Sequence, residues 1–200
     1  VIGRHLGDLF PGTKIHGWWP IRVTRNSELY IDEEDVANLL AAVEQELQRL
    51  STQDILTGLY NRNFFETEMA RIQLGRLFPI SIIVADVDNL KKVNDRYGHS
   101  AGDDLIRKVA QQLRHSFRAE DIVARIGGDE FGVLLPQTDE PTTQATVNRL
   151  RENLVKLGNP LLGLSIGLAI GKESSNLSDV LRLADDRMYQ DKAIHKKERG

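Results

Sequence analysis

The sequence predicts an α/β protein in which one central sheet is flanked by helices, with a further helix before them. Two apolar runs, at 80–87 and 162–170, are short and are typical of buried strands. The longer segments around them carry apolar residues every three or four positions, which indicates amphipathic helices packed on the sheet. A chain of 200 residues is long enough for one such domain with a sizeable core.

The predicted elements alternate in an order typical of one mixed domain from about Thr52 onwards. Residues 80–87 are almost continuously β-branched or apolar, and 101–117 carries its large aliphatic residues on one helical face. Gly127 and Gly128 separate two short apolar runs and suit a tight hairpin. In chain order we predict helices at 32–50 and 62–77, a strand at 80–87, a helix at 101–117, strands at 122–126 and 131–135, a helix at 140–157, a strand at 162–170 and a helix at 177–195.

The first 31 residues differ from the rest, because glycine and proline interrupt them and both tryptophans, Trp18 and Trp19, lie there. They are too few to form a core of their own. We expect an irregular segment with a short strand at 18–24, which packs on the domain or ends a sensor region before it. The chain begins with valine, so we expect it to be a piece of a longer protein.

Residues 32–50 form the predicted N-terminal helix. Asp32 can cap it, and the acidic residues that follow suit its first turn. Its apolar residues are four, three, four and three positions apart, the pattern of a two-stranded coiled coil that lasts barely two heptads. The pattern is compatible with a signalling or dimerisation helix over 32–51 and equally with a helix packed on its own domain. The stripe consists of Val36, Leu40, Val43, Leu47 and Leu50.

The composition excludes several classes of protein. The formal net charge of −3 provides no strongly basic surface for a nucleic-acid backbone. The absence of cysteine excludes a disulfide scaffold, a thiolate zinc site and a cysteine nucleophile. No signal peptide and no apolar run long enough to span a bilayer is present. We therefore expect a cytoplasmic location without a membrane segment in this chain, and an anchor only elsewhere in a longer protein.

Two places in the sequence bring carboxylates to the ends of predicted strands. Asp86 and Asp88 end the first apolar run, and strand alternation places both on one face if the strand continues. Buried carboxylates need a partner, so they predict either a site for Mg²⁺ or Mn²⁺ or a cap of the following turn. Asp129 and Glu130 follow the glycine pair, whose bare backbone can approach a phosphate. An ordinary hairpin explains that second pattern as well, and on its own it is the better explanation.

Three separated motifs give the sequence a resemblance to a known family. They are DILTGLYNR at 54–62, DVDNLKKVNDRYGHSAGDDL at 86–105 and GGDEF at 127–131. Together with LSIGLA at 164–169 and ADDRMYQDK at 184–192, they resemble the GGDEF family, the diguanylate cyclase domains. The resemblance implies a mostly antiparallel sheet like the palm of nucleotide cyclases, in a GGDEF domain over 52–200. It also implies condensation of two GTP molecules to cyclic di-GMP and two pyrophosphates, in a homodimer that brings two domains face to face.

The resemblance assigns metal and catalytic roles at the predicted site. Asp86, Asp129 and the carbonyl of Val87 match the family's metal ligands, which implies two Mg²⁺ (or Mn²⁺) ions in each active site. Such ions activate the 3′-hydroxyl of one GTP and stabilise charge on the α-phosphate of the other. Asp129 matches the position proposed to help remove the 3′ proton. Its neighbour Glu130 is available for metal binding or for proton removal.

Further matches concern the guanine base. Asn94 and Asp103 match the residues that hydrogen-bond guanine, and a carboxylate there distinguishes guanine from adenine by its donor pair. His99 matches a position near the substrate, although a loop residue before a helix explains it nearly as well. The family often carries aromatic residues where this sequence has Asn89 and Leu90, so we expect a small change in base packing.

The triphosphate is expected near the glycine pair and the last helix. Gly127 and Gly128 admit the phosphates, and Lys192 matches the family lysine that contacts them. Lys196 stands where the family has the arginine of a Gly-Arg-Asn run, here replaced by HKK. Lysine keeps the charge and loses the bidentate fork of arginine, which predicts weaker phosphate binding. A basic cluster at the end of a helix also suits the helix dipole without any ligand.

A regulatory site is also implied. Arg118 and Asp121 match the family's RxxD product-inhibition motif, with five residues between Asp121 and the glycine pair. Arg149, on the following helix, matches a further product-binding arginine or is a surface charge. The remaining histidines have no metal-ligand spacing, and we interpret them as surface residues. They are His5, His16, His115 and His195.

The sequence therefore predicts an active diguanylate cyclase with product inhibition. The alternative is a catalytically weak module that senses GTP or cyclic di-GMP and acts through a partner, and the intact motif acids disfavour it. A third possibility is a cyclase that makes a cyclic mononucleotide or accepts ATP, which Asn94 and Asp103 disfavour.

Overall fold

The computed structural model of the protein describes residues 33–75, 77–158 and 161–198. By its contacts the chain divides after Val43, so the first part of the N-terminal helix belongs to one unit and the residues from Glu44 to another. The elements are α1 (Glu33–Thr52), β1 (Tyr60–Asn61), α2 (Arg62–Leu74), β2 (Ile80–Val87), α3 (Leu90–Tyr97), α4 (His99–Ser116), β3 (Ile122–Arg125), β4 (Glu130–Pro136), α5 (Glu140–Lys156), β5 (Leu164–Gly171) and α6 (Leu177–Glu198).

The predicted fold class and the order of the long elements are confirmed. The predicted helix at 62–77 ends at Leu74, because Gly75 follows and its N–H donates back to Ile72. Two short elements were missed, β1 and α3. The helix α3 has only eight residues, so its apolar residues Leu90, Val93 and Tyr97 repeat over just two turns, and only Val93 is buried. The strand predicted at 18–24 lies outside the described residues.

The five strands described form one mixed sheet in the order β1-β3-β4-β2-β5. β2 lies between β4 and β5 and is antiparallel to both, while β1 pairs parallel with β3. Every residue of β2 is buried, as a strand covered on both faces requires. The register of β2 with β4 places Asp86 opposite Glu130, which brings the two acidic motifs to one end of the sheet.

The two faces of the sheet are covered by different helices. Residues Ile83, Ala85 and Val87 of β2 belong to the core formed with α3, α4 and α5. The alternate residues, such as Ile82 and Val84, belong to the core formed with α2 and α6. Because Asp86 continues this second series, its side chain faces α6.

The helix α6 lies unusually close to β5. A side chain at Gly167 would collide with the backbone of Ala184 and Met188, so only glycine permits this approach. This packing fixes the middle of α6 and so directs its last turns toward the end of β2. Among the described residues, no helix has both the length and the apolar character needed to cross a membrane.

Candidate active site

The carboxylates of the two motifs meet where β2 ends and β4 begins. Asp86 pairs with Glu130 in the antiparallel ladder, and the N–H of Val87 donates to the carbonyl of Asp129 at 2.9 Å. A cavity of about 520 Å³ opens here, between these strand ends and α6. Its lining residues are Asp86, Glu130, Asp185, Asp186, Met188, Tyr189, Gln190 and Lys192.

An ion pair joins the last helix to this acidic group. The ammonium Nζ of Lys192 donates to Oδ1 of Asp86 at 2.6 Å, and the Asp86 side chain is only 6% exposed. Burial raises the pKa of Asp86, and the charges of Asp129 and Asp88 add to this, while Lys192 acts in the opposite direction. Burial lowers the pKa of Lys192, but its carboxylate neighbours outweigh this and leave that pKa raised. Lys192 therefore remains a cation that partly neutralises the site.

The negative charge around Glu130 is less well compensated. Burial raises the pKa of Glu130, and the neighbouring charges of Asp129, Asp86 and Asp185 raise it further. Crowded carboxylates with hard oxygen atoms are the surroundings that Mg²⁺ and Mn²⁺ favour. Within the described ranges, no three His, Asp or Glu side chains converge so as to hold a metal by themselves. A cation here would take further ligands from the backbone, from water or from a bound molecule.

The glycine loop is held by an arginine that the sequence analysis did not single out. The guanidinium of Arg125 donates to the carbonyl of Gly128 from Nη2 at 2.6 Å and from Nε at 3.2 Å. Its Nη1 donates to both carboxylate oxygens of Asp54, at 3.2 and 3.3 Å. Asp54 also accepts from the N–H and the hydroxyl of Thr57. Arg125 therefore ties the first motif, which includes Asp54, to the loop of the third.

The two residues predicted to bind guanine lie on adjacent helices. Asn94 is on α3 and Asp103 on α4, and both are half-buried. The amide oxygen Oδ1 of Asn94 is buried without a hydrogen-bond partner. Gly102 leaves the space for it, because any side chain at Gly102 would collide with that oxygen. His99 begins α4 and is exposed.

The residues of the predicted inhibition site lie at the turn after α4. The carboxylate of Asp121 accepts the backbone N–H of Arg118 at 2.8 Å, and the Arg118 side chain is 68% exposed. Burial raises the pKa of Asp121, and the hydrogen bond from Arg118 opposes this. Arg149 donates to the carbonyl of Ser116 at 2.9 Å, so it contacts the end of the same helix. A cavity of about 410 Å³ is lined here by Arg114, Arg118 and Asp121 among others.

One histidine interpreted as a surface residue is not at the surface. His195 of α6 is 22% exposed, and its Nδ1 lies 3.1 Å from Oδ2 of Asp88 and 3.3 Å from Oγ of Ser165. The interpretation was wrong because its partners are distant in sequence. These three residues do not form a nucleophilic triad, because the same ring nitrogen, Nδ1, faces both the serine and the carboxylate. In a triad, the two partners bond to different ring nitrogens. His115 and Lys196 are exposed, and His5 and His16 lie outside the described residues.

The fold is a mixed five-stranded sheet flanked by helices, with an acidic group at the ends of β2 and β4. The family model for the diguanylate cyclase GGDEF domain matches residues 51–198, and the chain belongs to this family. A second family model, the polyphosphate kinase middle domain, matches residues 1–67, about a third of the chain, and overlaps the first over 51–67.

Curated relatives from Escherichia coli strain K12 agree with this family. The chain is 36% identical over 155 residues to the probable diguanylate cyclase DgcT. This match covers 72% of this chain and 34% of DgcT. It is 34% identical over 166 residues to the diguanylate cyclase DosC, and this match covers 77% of this chain and 36% of DosC. The chain therefore spans about a third of the length of these relatives.

A solved structure also resembles the fold. It is the coiled coil and GGDEF domain of DgcB from Caulobacter crescentus in complex with c-di-GMP, with a TM-score of 0.69 and 28% identity. The match covers 80% of this chain and 94% of that one.

We expect Arg125→Lys to destabilise the protein by about 1–3 kcal/mol, because one ammonium cannot contact Asp54 and the Gly128 carbonyl together. The measurement is urea unfolding followed by circular dichroism. Arg62→Lys is the matched control, since Arg62 forms an exposed pair with Glu66 that solvent screens, and its loss of stability should be much smaller. Equal losses in the two variants would show that Arg125 does not clamp the loop.

Proposed function

We propose that this domain is a diguanylate cyclase that condenses two GTP molecules to cyclic di-GMP and releases two pyrophosphates. The observation that carries the proposal is the complete acidic group at the joined ends of β2 and β4, with Lys192 beside it, in a member of the GGDEF family. The chain departs from the family at Lys196, outside this group. Because GTP is a nucleotide of the cytoplasm, we place the domain there.

The residues present fit the divalent cations that the reaction needs. Asp86, Asp129 and the carbonyl of Val87 offer hard oxygen donors, and the crowding that raises the pKa of Asp86 and Glu130 favours an added positive charge. We propose that these residues hold two Mg²⁺ or Mn²⁺ ions together with the substrate phosphates. Such ions lower the pKa of the 3′-hydroxyl and stabilise charge on the attacked phosphate.

Two carboxylates are candidates to accept the proton of the attacking hydroxyl. Asp129 and Glu130 follow the glycine pair, Glu130 lines the cavity, and we propose that Asp129 helps to remove the proton. Glu130 shares the role because burial and its acidic neighbours raise its pKa, which makes its carboxylate a stronger base.

The substrate contacts follow from the chemistry of GTP. Among the described residues, nothing donates a hydrogen bond to the buried Oδ1 of Asn94, so it can accept one from the guanine base. The carboxylate of Asp103 can accept hydrogen bonds from the N1–H and N2 donors of guanine. We propose that the backbone of Gly127 and Gly128 approaches the phosphates: a Cβ at Gly128 would have no atom within 4 Å, whereas one at Gly127 would meet the Glu130 carboxylate. Lys192 and Lys196 would neutralise the triphosphate, and His99, the first residue of α4, would lie near the substrate.

Catalysis requires two copies of the domain, because each site holds one GTP. We propose that the exposed apolar stripe of α1 joins two chains in a parallel coiled coil and raises the local concentration of the second site. Its described side chains are all about half exposed, at Leu40, Val43, Leu47 and Leu50.

We also propose that cyclic di-GMP inhibits the enzyme at the turn after α4. Arg118 is exposed, and among the residues that the structure describes its ion-pair partner is Glu120, at 3.9 Å. Its guanidinium can bind a phosphate or a guanine edge, and Arg149 lies against the same helix end. The Asp121 carboxylate holds the turn through the Arg118 N–H.

The purified chain with GTP and Mg²⁺ should form cyclic di-GMP, resolved by chromatography, and chelation of the metal should abolish it. Asp129→Asn should lower the rate by about a hundredfold or more, because it removes a metal ligand and a base. Asp179→Asn is the matched control on an exposed pair with Arg182. Tight GTP or cyclic di-GMP binding without turnover would instead favour the sensing module, and a cyclic mononucleotide would favour a different cyclase.

Replacing Leu40 and Leu47 together by glutamate should convert a dimer into a monomer in analytical ultracentrifugation. The specific activity at submicromolar protein should fall with it, because two charges then face each other in the seam. Asn38 and Gln45 lie on the opposite side of the helix by spacing, so the same two charges there are the control. A wild-type chain that is monomeric and fully active at that concentration would contradict the proposal.

Arg118→Ala should raise the inhibition constant of cyclic di-GMP by about tenfold or more, because a charge-assisted contact with the ligand is lost. Initial rates at increasing product concentration measure this. Residues 182–185 also read RxxD, so Arg182→Ala is the control and should leave inhibition unchanged. Unaltered inhibition in both variants would show that the product binds elsewhere.

A further inference from the structure

The end of α6 is attached to the sheet by polar side chains four residues apart. Arg187 donates to the carbonyl of Leu168 at 2.7 Å. Asp191 accepts the N–H of Ile166 at 2.8 Å and also pairs with Arg151. His195 completes the series with its contacts to Asp88 and Ser165. The side chains at 187, 191 and 195 share one helical face, which points to the exposed edge of β5 and the end of β2.

These contacts matter because α6 loses its apolar packing before it reaches the site. Met188 is the last buried residue of the helix among those whose side chains are described. Beyond it, Ile194 is 54% exposed and Lys196 is exposed. A helix end without apolar contacts frays readily, so its orientation depends on polar contacts.

The anchor that His195 contacts is rigid. Ser165 is completely buried and donates its hydroxyl to Oδ1 of Asp88 at 2.6 Å. The N–H of Asp88 donates to the carbonyl of Gly163 at 3.0 Å, and Asp88 is only 4% exposed. A side chain that bonds to this group holds its own helix at a fixed distance from the end of β2.

Lys192 precedes His195 by one helical turn and places its ammonium 2.6 Å from Asp86. We propose that His195 is a positioning residue, which bonds to Asp88 and Ser165 and thereby holds Lys192 where it meets the triphosphate of GTP. This inference rests on the proposed function. Because His195 lies one turn from Lys192 and bonds to the sheet, it orients the part of the helix that carries the lysine.

The test is a double-mutant cycle on GTP binding, measured by calorimetry with Ca²⁺ in place of Mg²⁺ so that turnover does not interfere. His195→Leu should weaken GTP binding by about three- to tenfold, the value of one net hydrogen bond. His195→Asn retains an N–H near the position of Nδ1 and should recover most of the affinity. In a Lys192→Met background, His195→Leu should have little further effect, because the histidine acts through the lysine.

Two further measurements separate positioning from a general loss of structure. GMP, which lacks the outer phosphates, should bind the leucine variant and the wild type almost equally. With Mg²⁺, the KM for GTP should rise more than kcat falls. His115→Leu, on the exposed face of α4, is the matched control and should leave GTP binding, KM and kcat unchanged. If His195→Leu does not fold, as judged by circular dichroism, His195→Ala takes its place.

The proposal is overturned if the leucine variant binds GTP like the wild type, if asparagine gives no recovery, or if the loss is undiminished without Lys192. It is also overturned if the wild type does not bind GTP. A wild type that binds GTP but forms no cyclic di-GMP contradicts the proposed function alone, and the binding cycle still tests His195.

Discussion

The antiparallel register of β2 with β4 is the constraint on which the site depends. It pairs Asp86 with Glu130 and places the N–H of Val87 on the carbonyl of Asp129. A shift of one residue would turn Asp86 into the opposite core and replace it by an aliphatic side chain. The strongly apolar residues on both faces of β2 prevent such a shift, because each face is matched to different helices. The stability of the core and the geometry of the site therefore have one cause.

The acidic group is costly to the folded state, and α6 offsets part of that cost. Burial and mutual repulsion raise the pKa of Asp86 and Glu130, so the folded protein holds them charged only at a free-energy penalty. Both groups bind protons more tightly in the folded state than in the unfolded one. The penalty therefore grows as the pH rises through their folded pKa values and disappears below their unfolded values. Lys192 reduces it at Asp86, and bound cations would reduce it further.

The sequence was sufficient for the parts of the molecule that depend on local pattern. The alternation that places Asp86 and Asp88 on one face is confirmed, since both contact residues of α6. Contacts between distant residues could not be predicted in this way. Arg125 and Asp54 are 71 residues apart, and His195 and Asp88 are 107 apart. Nothing in the local pattern of either pair indicates its partner. The helix α3 was missed because it is short, and the close approach of Asn94 to Gly102, which helps to fix its position, is not visible in the local pattern.

The acids of the two central motifs and the polar contacts of the last helix lie in different parts of the site. The motif acids are on β2 and β4, whose backbones are fixed by ladder hydrogen bonds and by two cores. The polar contacts of Arg187, Asp191 and His195 are on the end of α6, which no buried side chain holds beyond Met188 among the residues described. A helix end of this kind tolerates substitution without disturbing the sheet, because its contacts can be replaced one at a time. Substitutions at the end of α6 can therefore alter the surroundings of Lys192 while the acids on β2 and β4 stay in place.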